Sequence, residues 1–322
     1  MANPKELRAQ IIAEGLSVLF MALIVFAANS LHVFYILFPE LGALTSDVLL
    51  RPKGKWAKEP IKLILTPTAT AVVGWAISNY LPYGVVSILL SMVVCIGVVF
   101  ALRSAVAPAI SAGVLPIVLG VKSWLYPTCI LGTLVALAAV LLIWRETAFG
   151  RILIPEVGAD RKAVEILESK PDARWWFTGL FLFVAIVGTA AQVTGWRFLL
   201  FPPLIVMAYE MLGHPETCAW AKQPFGFPVV CTLAAGMGVE MVRWLGVSPV
   251  AAAIVLVFTV LMLRLFRLRM PPAMAIGLIP FILPSPVHLY AVSVGIGTCA
   301  LTGWFLGYRG LYRRNELRTA QK

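Results

Sequence analysis

Apolar residues run along this chain in long blocks, not in the strict alternation of a half-buried strand. Eight blocks approach the roughly twenty residues that a helix needs to cross a bilayer: 11–28, 63–81, 85–102, 125–144, 176–193, 229–245, 250–265 and 289–306. Four further blocks, at 31–50, 105–120, 198–212 and 271–284, are shorter or broken by proline and glycine. Each of these either crosses or dips in and returns. The pattern predicts an all-α polytopic transmembrane bundle.

Charge decides between the two topologies, because Lys and Arg of short loops accumulate on the cytoplasmic side. If all twelve segments cross, one side collects Lys5, Arg8, the basic cluster at 51–62, Arg103, Lys222, Arg264, Arg267, Arg269 and Arg309, Arg313, Arg314 and Arg318. The other side then receives almost only Lys122, Arg197 and Arg243. If none of the four short blocks crosses, the cluster at 51–62 falls outside. About twelve membrane segments with both termini cytoplasmic, in a plasma membrane such as the bacterial inner membrane, are therefore expected.

Composition agrees: of 322 residues 60% are hydrophobic and 13% charged, at a mean hydropathy of +0.91, which excludes a soluble globular, collagen-like or disordered chain. The net charge of +11 is explained by the basic loops and does not call for a nucleic-acid partner. The first apolar block follows a short polar start with no small-residue cleavage site, so it is expected to stay in the mature protein. Five scattered cysteines, without a C-x-x-C pair, read as buried, inert thiols.

Between the apolar halves, 145–174 holds twelve charged residues in thirty and reads as a solvated cytoplasmic connector. The chain divides accordingly into a first transmembrane repeat at 1–144, this linker, a second repeat at 175–310 and a basic tail at 311–322. Self-comparison supports the division. At a shift of 164 residues, Trp56-Ala-Lys-Glu-Pro60 lies over Trp220-Ala-Lys-Gln-Pro224, with no gap as far as Leu125-Tyr126 over Leu289-Tyr290. Gly74 meets Gly238, Arg103 meets Arg267, Pro108 meets Pro272, Gly113 meets Gly277, and Pro116 meets Pro280. One residue out of that register, Phe38-Pro39-x-Leu41 lies over Phe201-Pro202-x-Leu204. Each half holds an even number of segments, so the repeats enter the membrane in parallel, as in many secondary transporters.

The short, interrupted blocks occupy corresponding places in the halves, which points to a binding site. Helix N-termini present free N–H groups and a partial positive charge, so they hold an anion without a charged side chain. The candidates are Pro39 and Gly42 with Pro202, and Pro108, Ser111 and Gly113 with Pro272 and Gly277. Arg103 and Arg267, just before two of these segments, suit an oxyanion, although interfacial anchoring explains them as well. Acids at membrane depth are expensive, and Glu14, Glu40, Asp47, Glu210 and Glu240 stand out. Glu40, Asp47 and Glu210 are the coupling candidates; Asp47 with Lys58, Glu210 with Lys222 and Glu240 with Arg243 are expected pairs.

His32, His214 and His288 form no metal signature, and no nucleophile elbow or P-loop occurs, so neither an enzyme nor a cofactor is expected. Arg267-Leu-Arg-Met-Pro271-Pro272-Ala-Met-Ala-Ile-Gly277, with Ala219-Trp-Ala-Lys-Gln-Pro224, resembles the HPP family of integral membrane proteins. That family is named for a His-Pro-Pro motif; Met270 stands in place of the histidine, and the first half has Val106-Ala107-Pro108. Some members are associated with nitrite transport. The resemblance implies two diverged copies of that domain and transport of a small inorganic anion. The partners expected are thus the lipid bilayer and a small anionic solute, with homo-oligomerisation left open. The rival readings are a membrane scaffold or subunit, and a channel.

Overall fold

The structure, a computed structural model, describes residues 4–153, 171, 175–283 and 289–320. Among these, twelve helices of seven or more residues follow one another, and there is no strand. They are α1 (Pro4–Ser30), α2 (Glu40–Leu50), α3 (Pro60–Tyr80), α4 (Val85–Ala101), α5 (Pro108–Leu119) and α6 (Leu125–Glu146), then α7 (Trp176–Thr194), α8 (Pro202–Gly213), α9 (Gly226–Leu245), α10 (Pro249–Leu265), α11 (Pro272–Leu278) and α12 (Leu289–Ala320). The expected connector falls mostly on residues 154–170 and 172–174, which lie outside the described residues, as does His288.

Local chemistry sets these boundaries. Proline opens α3, α5, α8, α10 and α11, where its missing N–H is no loss and its fixed φ suits the first turn. Ser248 caps α10 by accepting the Ala251 N–H at 3.2 Å. Gly120, at φ 69°, closes α5 in the left-handed conformation that glycine adopts at no steric penalty.

Six helices, α1, α3, α6, α7, α9 and α12, are long and apolar enough to cross a bilayer, which fits a multi-pass integral membrane protein. The sequence expects eight. The other two, α4 and α10, are 17 residues each and reach about 25 Å, short of a hydrocarbon core of about 30 Å. Large apolar side chains cover the outside of the bundle, among them Leu23 and Phe26 of α1, Leu142 and Ile143 of α6, Ile186 of α7 and Leu261 of α10. So continuous an apolar surface belongs against lipid.

The four interrupted blocks contain the short helices α2, α5, α8 and α11, of 11, 12, 12 and 7 residues. At 1.5 Å per residue none exceeds about 18 Å. They are enclosed: every residue of α8 and α11 is buried, and in α2 and α5 only the last residue is not. The long helices bury less than half of their residues and form the wall around them.

Helices pack across the two halves of the chain as well as within them. α2 lies against α11 and α5 against α8; α1 lies against α10 and α4 against α7. The apolar cores follow this exchange. Ala251, Val255 and Leu256 of α10 join the core of α1, α2 and α6, while Ile88, Met92 and Ile96 of α4 join that of α7, α8 and α12.

Polar contacts define two ends of the bundle. At one, Lys62 Nζ donates to Arg103 O, Arg145 Nε to Pro52 O, and Arg264 pairs with Glu14. At the other, Trp75 and Asn79 donate to Lys122 O, Arg197 lies 4.7 Å from the Tyr83 ring centroid, and Asn29 Nδ2 donates to Val247 O at 2.6 Å. Lys62, Arg103, Arg145 and Arg264 thus lie at one end, and Lys122 and Arg197 at the other.

A proline inside a helix removes the donor for the carbonyl four residues earlier. Pro116 in α5 and Pro280, in the tight turn Ile279–Ile282 that prolongs α11, deprive the carbonyls of Ala112 and Ile276. Tyrosine hydroxyls replace both donors: Tyr126 Oη donates to Ala112 O at 2.7 Å, and Tyr290 Oη to Ile276 O at 2.8 Å. Tyr126→Phe leaves a buried carbonyl unpaired, so it is expected to destabilise the protein by about 1–3 kcal/mol. A lowered Tm in detergent checks this, and an unchanged Tm would refute the role.

Candidate functional site

The short helices bring most of the expected residues together. α2 is preceded by Pro39 and begins at Glu40, whose side chain is 2% exposed. Ser111, in the first turn of α5 and fully buried, donates its hydroxyl to Glu40 Oε1. The second carboxyl oxygen, Oε2, is buried with no hydrogen-bond partner. Glu40 is also within electrostatic reach of the hydroxyls of Tyr126 and Tyr290, one from each half of the chain. It therefore sits where the halves meet.

Glycines let the helices close around this pair. A Cβ on Gly42 would lie 2.8 Å from Leu278 Cδ1 and 3.6 Å from Met274 Cβ, so the absence of a side chain seats α2 on α11. A Cβ on Gly74 would run into the Gly113 carbonyl, joining α3 to α5 backbone to backbone. Gly238 and Gly277 repeat that approach between α9 and α11. Ser91 of α4 donates to Gly113 O at 2.8 Å, holding a third helix to the same point. Pro108, Pro202 and Pro272 each open one short helix and are buried.

The polar pair itself occurs once. At the matching intervals Pro203 stands for Glu40 and Ala275 for Ser111.

Arg103 and Arg267 are placed differently. Both are exposed and follow the C-terminal ends of α4 and α10, at φ 48° and 52°. Each completes the same helix stop, with Ser104 N–H bonded to Val99 O and Leu268 N–H to Leu263 O. A left-handed conformation costs a side-chain-bearing residue roughly 1–2 kcal/mol, and glycine would avoid it. The structure does not bury either arginine beside Glu40.

Among the acids, Asp47 of α2 is buried and pairs with Arg51 four residues on, not with the expected Lys58. Glu210 is buried in α8. Glu14 of α1 forms an ion pair with Arg264 of α10, Oε2 to Nη2 at 2.6 Å, joining the halves at the basic end. Glu240 accepts from Trp244 Nε1 at 3.0 Å. Cys95, Cys218 and Cys231 are buried as expected, whereas Cys129 is half-buried and Cys299 exposed. Among the described residues no group of three potential metal ligands exists.

Sequence reasoning missed three features. The Tyr126 and Tyr290 hydroxyls were matched without a role, and the i to i+4 spacing from Ala112 and Ile276 to the matched prolines was the available signal. Asn29 and Gln192, 163 residues apart, both bind across to the other half at one end: Asn29 to Val247 O, and Gln192 Oε1 from Val85 N–H at 2.9 Å. The Glu14–Arg264 pair, 250 residues apart, had no sequence signal. No family model matches the chain, and neither a curated protein nor a solved structure matches it.

Proposed function

We propose that this chain is a secondary transporter built of two parallel six-segment repeats, moving a small solute by alternating access where the repeats meet. The solute is a small inorganic anion such as nitrite. The observation that carries the reading is the enclosure of four short helices, paired across the halves, around one buried polar pair. Broken helices in a membrane protein are tolerated only where protein or a water-filled cavity surrounds them, and substrate sites of such proteins lie at the repeat interface. The recurrence of Pro116 with Tyr126 and of Pro280 with Tyr290, each pair making the same carbonyl bond, supports duplication of one ancestral unit.

In this reading the four short segments, with the non-helical stretches before them, cross the membrane, and the basic end faces the cytoplasm by the positive-inside rule. The solute binds among Pro39, Gly42, Pro108, Ser111, Gly113, Pro202, Pro272 and Gly277, where small residues and helix starts leave backbone N–H groups near. The exposed Arg103 and Arg267 draw the anion to the cytoplasmic mouth, acting through their field. The HPP resemblance is compatible with this solute class.

Uptake of nitrite into liposomes that contain the purified protein tests the proposal. Saturable uptake above that of empty liposomes is expected. Arg103→Ala with Arg267→Ala is expected to raise KM several-fold at low salt and to leave the maximal rate largely intact, because steering is screened by salt. Folded protein that takes up no more than empty liposomes would overturn the assignment of nitrite.

A further inference from the structure

We propose that Glu40 is the proton-binding site of the transporter, carrying one proton with each anion; this rests on the transport reading above. The geometry separates Glu40 from Asp47 and Glu14. Asp47 is tied to Arg51 and Glu14 to Arg264, whereas Glu40 makes no ion pair among the described residues, and its Oε2 is buried without a hydrogen-bond partner.

Among the described residues, the groups that face it from the surrounding helices carry no opposite charge. α5 contributes Ser111; Tyr126 of α6 and Tyr290 of α12 are the titratable groups within electrostatic reach. The helix α11 presents Met274 and Leu278 to α2, and the buried face of α1 carries no titratable side chain. Ser111 and the start of α2 offset a carboxylate charge in part, but no cation pairs with it among the described residues, and a charge without a counter-charge away from water is expensive. Taking up a proton removes that expense.

Anion and proton are then linked. A charged Glu40 repels an anion that arrives at the N-terminal ends of α2 and α5. A protonated Glu40 offers that anion a hydrogen-bond donor instead. Each ligand therefore strengthens the binding of the other, and the coupling is reciprocal. The proton joins Oε2 from water on one side and leaves to water on the other, with no other bond made or broken. A metal cation requires a cage of several oxygens, whereas Glu40 with Ser111 supplies one carboxylate and one hydroxyl. Because Pro203 and Ala275 occupy the matching positions, the Glu40–Ser111 pair has no second copy in the other half, and it carries one proton per cycle.

The test uses the full-length protein in liposomes, with labelled nitrite as probe and empty liposomes as the background for passive nitrous acid flux. Counterflow at equal pH on both sides establishes transport independently of coupling. An imposed pH difference, acid on the side of entry, is then expected to drive accumulation at an initial rate above that of empty liposomes, toward a limit of about tenfold per pH unit. Glu40→Gln, neutral at every pH, is expected to lose that accumulation. Counterflow without any response to the pH gradient overturns the proton site and leaves the transport reading standing. Full pH-driven accumulation by E40Q, or wild-type accumulation driven by a sodium gradient in place of pH, overturns it too. Absence of wild-type counterflow removes the transport reading and this inference with it. If E40Q does not fold, the wild-type response to the pH gradient decides.

Discussion

Gly74→Val is expected to yield almost no folded protein, and Gly238→Val the same. At both positions the added Cβ would collide with the backbone carbonyl of a glycine in the facing helix, Gly113 or Gly277. No change of rotamer relieves a clash with main chain. α5 and α11 are themselves buried and pack on α8 and α2, so moving either helix away disturbs the centre of the molecule. Overpacking a core typically costs 1–3 kcal/mol, occasionally more, and a clash with backbone belongs at or above about 3 kcal/mol. That is a large fraction of the roughly 5–15 kcal/mol by which proteins are stable.

Gly97→Ala and Gly132→Ala are the controls, since nothing lies within 4 Å of a Cβ at either site. There alanine gains helix propensity, by about 1 kcal/mol. Size-exclusion profiles in detergent, with Tm, separate the two classes. A monodisperse Gly74→Val protein with the wild-type Tm would show that α3 and α5 do not approach as described.

The matched positions in the sequence turn out to have two physical causes. Gly74 with Gly113, and Gly238 with Gly277, mark places where two backbones touch. Pro116 with Tyr126, and Pro280 with Tyr290, mark a carbonyl that lost one donor and gained another. These were legible because each requirement is met by one residue type, and only a register of 164 residues aligns them all. The membrane helices were legible for a related reason, since the thickness of lipid imposes a length on them. α4 and α10 fall just below that length, and apolar pattern alone does not reveal it.

Partners far apart in sequence were not legible. That Ser111 reaches Glu40, or Arg264 reaches Glu14, depends on which helices become neighbours, and an apolar stripe packs against any other. The same holds for the exchange that places α4 against α7 and α10 against α1. Asp47 shows a local bias in such reasoning. Lys58 has a match in the other half, but Arg51 stands one helical turn away on the same face and reaches the carboxylate first.

The largest functional effect is expected from joining the two halves at the site. The ideal Cβ of Gly42 lies 3.6 Å from Met274 Cβ, within the 3.5–4.5 Å separation at which a disulfide forms. Gly42→Cys with Met274→Cys, treated with a membrane-permeant oxidant, is expected to form that bond in high yield, because the nearest obstacle is the movable end of Leu278. The bond fastens α2 to α11 beside Glu40. If the halves must part there to admit solute, the fastened protein cannot complete a cycle.

Nitrite uptake by liposomes carrying this double variant, measured reduced, oxidised and reduced again, with oxidised wild type and each single variant alongside, is therefore the most direct test of the account. Transport present when reduced, abolished in proportion to cross-linking and restored by reductant is the predicted result. Transport that continues at its reduced rate in fully cross-linked protein would contradict a transport site between α2 and α11.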